Sequence, residues 1–279
     1  MEPVLLHCSQ FFGNEKKYLN ECIDTKFVSY VSHFITDMED HIKKLTGAKC
    51  AVAMVSGTEA LHMAMVAAGV KPGEEVISQP LTFSAESVGS FYKGKHTGIF
   101  DKVGILSFNG NKTLTTGGGG MLITDDEELA ARAKYLSTTA KEPAKWGYFH
   151  KEAGWNLRMP GVNAAIGAAQ LEYFDKIIEN KRETAAMYKK FFAGLNIPFV
   201  TEPENARANY WLNAIFLKDR AEREEFLEFT NSNGVQTRPI WTLMYKMPPY
   251  EKCERTEMPN AEWHEDHLVN IPSSVRTSL

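Results

Sequence analysis

Three short stretches of this 279-residue chain carry residue types and spacings that can do chemistry. In Ser107-Phe108-Asn109-Gly110-Asn111-Lys112, a lysine follows the apolar run VGILSF and leads into TLTTGGGG. A lysine just past a buried strand end, among small polar residues, loses hydration. Its amine pKa then falls toward the nucleophilic neutral form that a Schiff base needs. Taken alone, the plainer reading of Lys112 is a surface lysine in a glycine-rich loop. A phosphate-loop NTPase is excluded, because the lysine precedes the glycines and no GxxxxGK[ST] is present. The second stretch, Ser56-Gly57-Thr58, follows a strand-like run and opens a helical one. Such a turn aims backbone N–H groups and a hydroxyl at one spot with the helix dipole behind them, which suits a phosphate. A simple Ser/Thr cap is the commoner use of this pattern. The third stretch, Gly154-Trp155-Asn156-Leu157-Arg158-Met159, places Asn156 and Arg158 two apart in an extended segment. Both side chains can then serve one ligand; the plainer reading is a helix cap and a surface arginine.

The elements that must hold these groups follow from periodicity. Residues 14–46 predict helix, with Gly47 as a stop. KCAVAM predicts a strand, and the helix after Ser56 should end near Gly69. GEEVISQPLTFSA predicts a turn and a strand with Pro80 at its end, VGILSF a strand, and MLITDDEELAARAKYL a strand and then a helix. NAAIGAAQLEYFDKIIENKRETAAMYKKFFAGL predicts a long helical stretch with weak breaks. Beyond about residue 195 short strands (IPFV, NYWLNAIFL, VQTRPIW) surround the helix REEFLEFTNSNG. That change predicts a large domain over 1–195 and a small α+β domain over 196–279.

Composition is that of a globular chain, 43 % hydrophobic and 24 % charged. With 31 basic and 35 acidic residues the formal charge is −4, and no basic block suggests a nucleic-acid partner. Four scattered cysteines without a CxxC pair predict free thiols in a reducing compartment. No secretory leader, no membrane span and no metal site is expected, so the expected location is the cytoplasm.

Together SGTEALHMAM, PGEEVISQPLTF, GKHTG, GILSFNGNKTLTTGGGGMLITDDEELA, GWNLRMP and NAAIGAAQLE resemble, in order, the DegT/DnrJ/EryC1/StrS aminotransferases. The resemblance implies an α/β chain of the pyridoxal-phosphate transferase fold type I, with a mostly parallel sheet in its large domain. It implies pyridoxal 5′-phosphate as cofactor and Lys112 as the Schiff-base lysine that also shuttles a proton. Ser56, Gly57, Thr58 and Ser107 then match phosphate-binding positions, and Phe83 matches the aromatic that stacks on the pyridine ring. Glu86 matches a position where the family has a Gln, Glu or His near the cofactor hydroxyl. Asn156 matches an asparagine that reaches the phosphate of a neighbouring subunit, which implies a homodimer with shared sites. TRPIWTLMYKMPPY and VNIPSS resemble the subgroup acting on nucleotide-linked 4-keto-6-deoxy-2-acetamido sugars, as in legionaminic-acid-type pathways. There Arg238 to Trp241 would border the sugar-nucleotide pocket. The expected reaction moves an amino group from L-glutamate to C4 of such a keto-sugar, for surface polysaccharide or glycan synthesis. The dehydratase branch is disfavoured, since it replaces the lysine with histidine.

One departure from the family is large. Only 29 positions separate Phe83 from Lys112, as though the chain were cut at Ala85–Glu86. At roughly 30 residues per βα unit, about three units, near 90 residues, are absent. With them goes the Asp-Ala-Ala motif, whose aspartate protonates the pyridine nitrogen. Asp101 is the nearest acid before Lys112, but it falls in a turn ahead of the strand. Two explanations compete: the sequence omits residues that the whole protein has, or the deletion is real. The rival to an active enzyme is a truncated, non-catalytic member that binds cofactor or partner without turnover.

Overall fold

The computed structural model describes residues 2–78 and 88–276. Along the chain run α1 (Glu15–Thr25), α2 (His33–Thr46), β1 (Cys50–Met54), α3 (Gly57–Ala67), β2 (Phe91–Tyr92), β3 (Lys95–His96), β4 (Gly104–Ser107) and β5 (Gly120–Thr124). These are followed by α4 (Glu127–Ser137), β6 (Lys141–Glu142), β7 (Phe149–His150), α5 (Gly161–Glu172) and α6 (Phe174–Ala193). The last part holds β8 (Ala206–Arg207), β9 (Asn213–Phe216), α7 (Arg220–Ser232), β10 (Arg238–Pro239), α8 (Pro259–His267) and β11 (Leu268–Ile271).

The helical span over 14–46 is two helices. The second stops at Gly47, whose φ of 78° lets its N–H reach the Lys43 carbonyl at 2.8 Å. The predicted long helix after Pro160 breaks once, at Tyr173, between α5 and α6.

The central sheet has the order β1-β5-β4. Residues alternate between its two faces, as a period of two requires. Ala53, Met121 and Ile123 join Met38, Ile42, Ala164 and Ala168 in one core, under α2 and α5. Val52, Met54 and Leu122 join Ala60, Met63, Leu129 and Ala133 in another, under α3 and α4. Every residue of β5 is buried, so this strand is covered on both faces. Each buried Val, Leu, Ile or Met side chain among them contributes about 1.5–3 kcal/mol. A third core gathers Phe192, Ile215, Leu217, Val269 and Ile271 around β10-β11-β9.

The mostly parallel sheet is reduced, among the described residues, to β1 and β4 running the same way on either side of antiparallel β5. Parallel neighbours need βα crossovers, and the chain between Phe83 and Lys112 is too short to supply them. The strand expected in GEEVISQPLTFSA is not formed over its described part, Glu74–Ser78, where Ile77 is 99 % exposed. An extended segment becomes a strand only against a ladder partner. No helix among the described residues is long and apolar enough to cross a membrane.

Candidate active site

The register of the central sheet assembles the site. Gly120, at the start of β5, lies opposite Met54 at the end of β1 and Ser107 at the end of β4. The segments following β1 and β4 therefore leave the sheet at the same edge. An ideal Cβ on Gly120 would sit 2.3 Å from the Ser56 carbonyl carbon, and one on Gly57 would sit 2.8 Å from the Ser107 Cβ. Glycine at both positions lets the Ser56 turn close onto β4. Ser56 caps α3 by accepting the Glu59 N–H at 3.1 Å. The N–H groups of Gly57 and Thr58 precede the first helical hydrogen bond and have no intrahelical acceptor. Buried Gly57 and Ser107 with exposed Thr58 form a cradle with donors and a helix dipole, suited to a phosphate.

After β4 the chain makes a loop closed on Phe108. Its N–H donates to Gly119 O at 2.9 Å, while its carbonyl accepts from the Thr116 N–H at 2.9 Å. Asn163 in α5 donates through Nδ2 to Thr116 O at 2.8 Å, and Ser9 donates to Gly110 O. Held at several points, the loop turns Lys112 inward, 3 % exposed. Its Nζ lies 4.0 Å from the ring centroid of Trp211. Burial pushes the amine pKa down to about 7. The indole face offsets part of this, being worth about 0.5–2 kcal/mol to a cation. The plain surface-lysine reading is thereby set aside: Lys112 is desolvated and held, as a nucleophilic amine requires.

Trp211 donates through Nε1 to Asn111 O at 2.6 Å and stacks on Trp241, with ring centroids 5.9 Å apart and planes 11° from parallel. The two tryptophans wall a cleft of about 510 Å³ lined also by His7, Asn111, Arg238 and Asn270. The expected substrate residues Arg238 and Trp241 thus border the segment that carries Lys112. Arg238 is exposed and donates to Asn231 Oδ1 and Thr237 O, both at 2.8 Å.

Asn156 comes from a segment beside the site end of β1. The segment 155–158 follows the end of β1, where the Val55 N–H donates to Leu157 O at 2.8 Å and Arg158 pairs with Met54. Asn156 is exposed, its Oδ1 accepting from Arg158 Nε at 2.9 Å, and Arg158 stacks on Tyr30 at 3.4 Å. Phe83 and Glu86 lie outside the described residues, as does the junction Ala85–Glu86.

Three acids lie at the far edge of the sheet, while Glu39 on α2 accepts the Ala53 N–H at 2.9 Å close to the Lys112 end. Asp101 precedes β4, and Asp125 and Asp126 follow β5, whose end pairs with the start of β1. None of the three adjoins the Lys112 end. Among the described residues no group of His, Cys, Asp and Glu side chains is arranged to hold a metal ion.

Sequence reasoning missed Trp211, His7 and Lys181. Trp211 sits in a stretch read only as a strand, and His7 in one read only for a leader sequence. Lys181, 1 % exposed, lies in a helix whose other lysines are exposed or partly so, and its periodicity alone marks it as core-facing.

Comparison with known proteins bears on the family and the fold. The model of the DegT/DnrJ/EryC1/StrS aminotransferase family matches residues 12–86 and 84–279, two stretches that meet at residues 84–86. GDP-perosamine synthase of Vibrio cholerae is 29 % identical over 335 positions, covering 94 % of this chain and 91 % of the relative. The GDP-perosamine synthase of Escherichia coli O157:H7 is 29 % identical over 348 positions, covering 98 % and 94 %. Both alignments are longer than this chain. The solved aminotransferase TlmJ of Streptoalloteichus hindustanus superposes with a TM-score of 0.90 at 18 % identity, covering 98 % of this chain and 94 % of its own. That likeness is one of fold.

Proposed function

Because the chain belongs to the DegT/DnrJ/EryC1/StrS aminotransferase family, we propose that it holds pyridoxal 5′-phosphate on Lys112 and transfers an amino group to a nucleotide-linked keto-sugar. The observation that carries this reading is the buried Lys112 amine, with its pKa pushed down to about 7, at the sheet edge where the Gly57–Ser107 cradle also opens.

The residues present fit the cofactor at two of its three needs. Gly57, Thr58 and Ser107 would hold its phosphate, and Lys112 would hold its carbonyl carbon. When bound, the cofactor supplies the electron sink that lets a C–H proton leave the amino donor. Lys112 would take and return that proton, and an amine pKa near neutrality suits both directions. Trp211 and Trp241 exclude water from one side of the amine and offer flat apolar faces to a sugar ring or base. Arg238 offers charge to a diphosphate. The donor is proposed as L-glutamate and the acceptor as C4 of a 4-keto-6-deoxy sugar. The GDP-linked product in the name of the relatives at 29 % identity supports the nucleotide-linked class, and the TRPIWTLMYKMPPY tail supports a 2-acetamido group. Exposed Asn156 supports a homodimer in which it reaches the partner's site. The third core, which gathers the end of α6 with β9 and β11, supports a small domain that begins about where α6 ends.

For the third need, an acid at the pyridine nitrogen, Asp101, Asp125 and Asp126 among the described residues stand at the far end of the sheet, and the Glu39 carboxylate is taken up by the Ala53 N–H. We infer that the family's middle segment is missing between Ala85 and Glu86, an inference supported by the two-part family match and the long alignments. This favours a second reading, a chain that binds the cofactor with weak or no turnover.

Borohydride reduction of the protein with pyridoxal phosphate, followed by intact and peptide mass spectrometry, tests both. Label at Lys112 on a chain of 31.4 kDa supports a cofactor site that survives the deletion. Label at Lys112 on a chain heavier by about three βα units supports the full enzyme. No label at Lys112 sinks the proposal. Amino transfer from glutamate to a UDP- or GDP-linked 4-keto sugar at normal turnover by the verified 279-residue chain would sink the second reading.

A further inference from the structure

The turn that delivers Trp211 to the site is held under strain. Tyr210, immediately before it, has a φ of 47°, in the left-handed region that a bulky residue enters only at a cost. Such a conformation persists where the surroundings over-determine it. Asn209 accepts the Trp211 N–H through Oδ1 at 2.9 Å and donates through Nδ2 to Val88 O at 2.9 Å. Arg182 of α6 donates to Ala208 O at 2.8 Å, and its guanidinium lies 5.7 Å from the Tyr210 ring centroid.

The Trp211 carbonyl is gripped by a second buried lysine that the chemistry above does not use. Lys181, next to Arg182 and 1 % exposed, donates through Nζ to Trp211 O at 3.2 Å and to Ser273 O at 2.6 Å, with His7 Nε2 3.1 Å away. Burial pushes its pKa down to about 7. A buried amine is costly, and an apolar side chain of similar volume fills the same space without that cost. Packing alone therefore does not call for lysine here; the N–H donors do. The ammonium meets all three acceptors, and the neutral amine retains two N–H groups.

Ser273 is a firm anchor for this grip. Its N–H donates to Leu6 O at 2.7 Å, which ties down the N-terminal strap carrying His7, and its Oγ accepts the Asn213 N–H at 2.7 Å. Three residues on, the Arg276 N–H donates to Asn180 Oδ1 in α6 at 2.9 Å. His7 feels both buried amines. Its pKa is pushed down to about 3, by burial first and then by the charges of Lys181 and Lys112, so it stays neutral while they titrate.

We propose that Lys181 is a positioning residue for the Lys112 amine: by gripping the Trp211 carbonyl at the end of the strained turn, it seats the indole 4.0 Å from Lys112 Nζ. This rests on the reading of Lys112 as the reactive amine and adds what holds the wall beside it.

NMR titration of the Lys112 side chain in the unliganded protein, assigned with Lys112→Met, tests the inference and needs no cofactor. Lys181→Met should raise the Lys112 pKa from about 7 by about one unit as water reaches the amine. The Trp211 indole N–H resonance should shift with it. Lys181→Gln keeps N–H donors on a shorter side chain, so it should move both signals less, and it replaces the methionine variant if that one fails to fold. Removing a positive charge would also raise the pKa, so Lys181→Met is repeated in Trp211→Ala. There it should add no more than about 0.3 unit, because the indole through which it acts is gone. An unmoved pKa in folded Lys181 variants, or an equal rise in the Trp211→Ala background, would overturn the positioning role. A Lys112 pKa that responds as expected in a chain that pyridoxal phosphate does not label would overturn the cofactor reading and leave the role of Lys181 standing.

Discussion

Lys112 and Trp211 meet face to amine, with Nζ 4.0 Å from the indole centroid. The contact joins the loop after β4 to the segment before β9, across the division proposed near residue 195. The same tryptophan ties its Nε1 to Asn111 O and stacks on Trp241. One side chain therefore sets the hydration of the amine and the wall of the cleft together.

Trp211→Ala should consequently do two separable things. Removing a buried indole should cost about 3–5 kcal/mol of stability, read by denaturant unfolding. Opening the amine to water should raise the Lys112 pKa from about 7 toward its ordinary range. The pH midpoint for labelling of Lys112 by pyridoxal phosphate and borohydride should move up. An unmoved midpoint in a folded variant would show that Trp211 does not desolvate the amine.

The stability consequence of the buried amine has a definite sign. The folded pKa, about 7, lies below the unfolded value near 10.5. Between those values the unfolded chain binds more protons at this site, so its contribution to stability rises with pH by up to about 1.4 kcal/mol per unit. The unfolding free energy of the unaltered protein minus that of Lys112→Met should climb from about pH 7 to pH 10 and be flat below the folded pKa. A difference independent of pH over that range would contradict a lowered pKa.

Gly57→Ala should test the phosphate cradle. The added Cβ would lie 2.8 Å from the Ser107 Cβ, an overlap worth about 1–3 kcal/mol when neighbours must shift. Affinity for pyridoxal phosphate should fall by tenfold or more, while labelling of Lys112 by pyridoxal, which lacks the phosphate, should change little. Equal losses for both reagents would place the phosphate elsewhere.

Asn156 is exposed and hydrogen-bonded to Arg158 within its own segment, so Asn156→Ala should change stability by no more than about 0.5 kcal/mol. Cofactor retention should nonetheless drop if the side chain serves a neighbouring subunit. Mixing Asn156→Ala chains with Lys112→Ala chains should then restore labelling at Lys112, since each mixed dimer pairs one intact lysine with one intact asparagine. No restoration in verified mixed dimers would mean that Asn156 does not act across the interface.

Much of this molecule is legible in its sequence because the relevant signals are local. The strands at 50–54 and 104–107, the Ser56 cap and the Gly47 stop follow from short-range periodicity and backbone chemistry. The same holds for the lysine beyond an apolar strand. The resemblance carried by SGTEALHMAM and the TTGGGG loop adds the roles. Local signals also misled where a partner was required: Glu74–Ser78 has strand-like residues but pairs with no strand among the described residues, and it stays exposed. What only the tertiary structure decided is which distant groups converge. The β1-β5-β4 register brings Gly57 against Ser107. Closure of the small-domain strands brings Trp211 over Lys112, and the N-terminal strap brings His7 to Lys181. None of these pairs is near in sequence, and each depends on long-range packing that periodicity does not encode. The sequence by itself determined the reactive amine; the packing determined its dryness, its walls and its neighbours, because desolvation is a property of everything that surrounds a group.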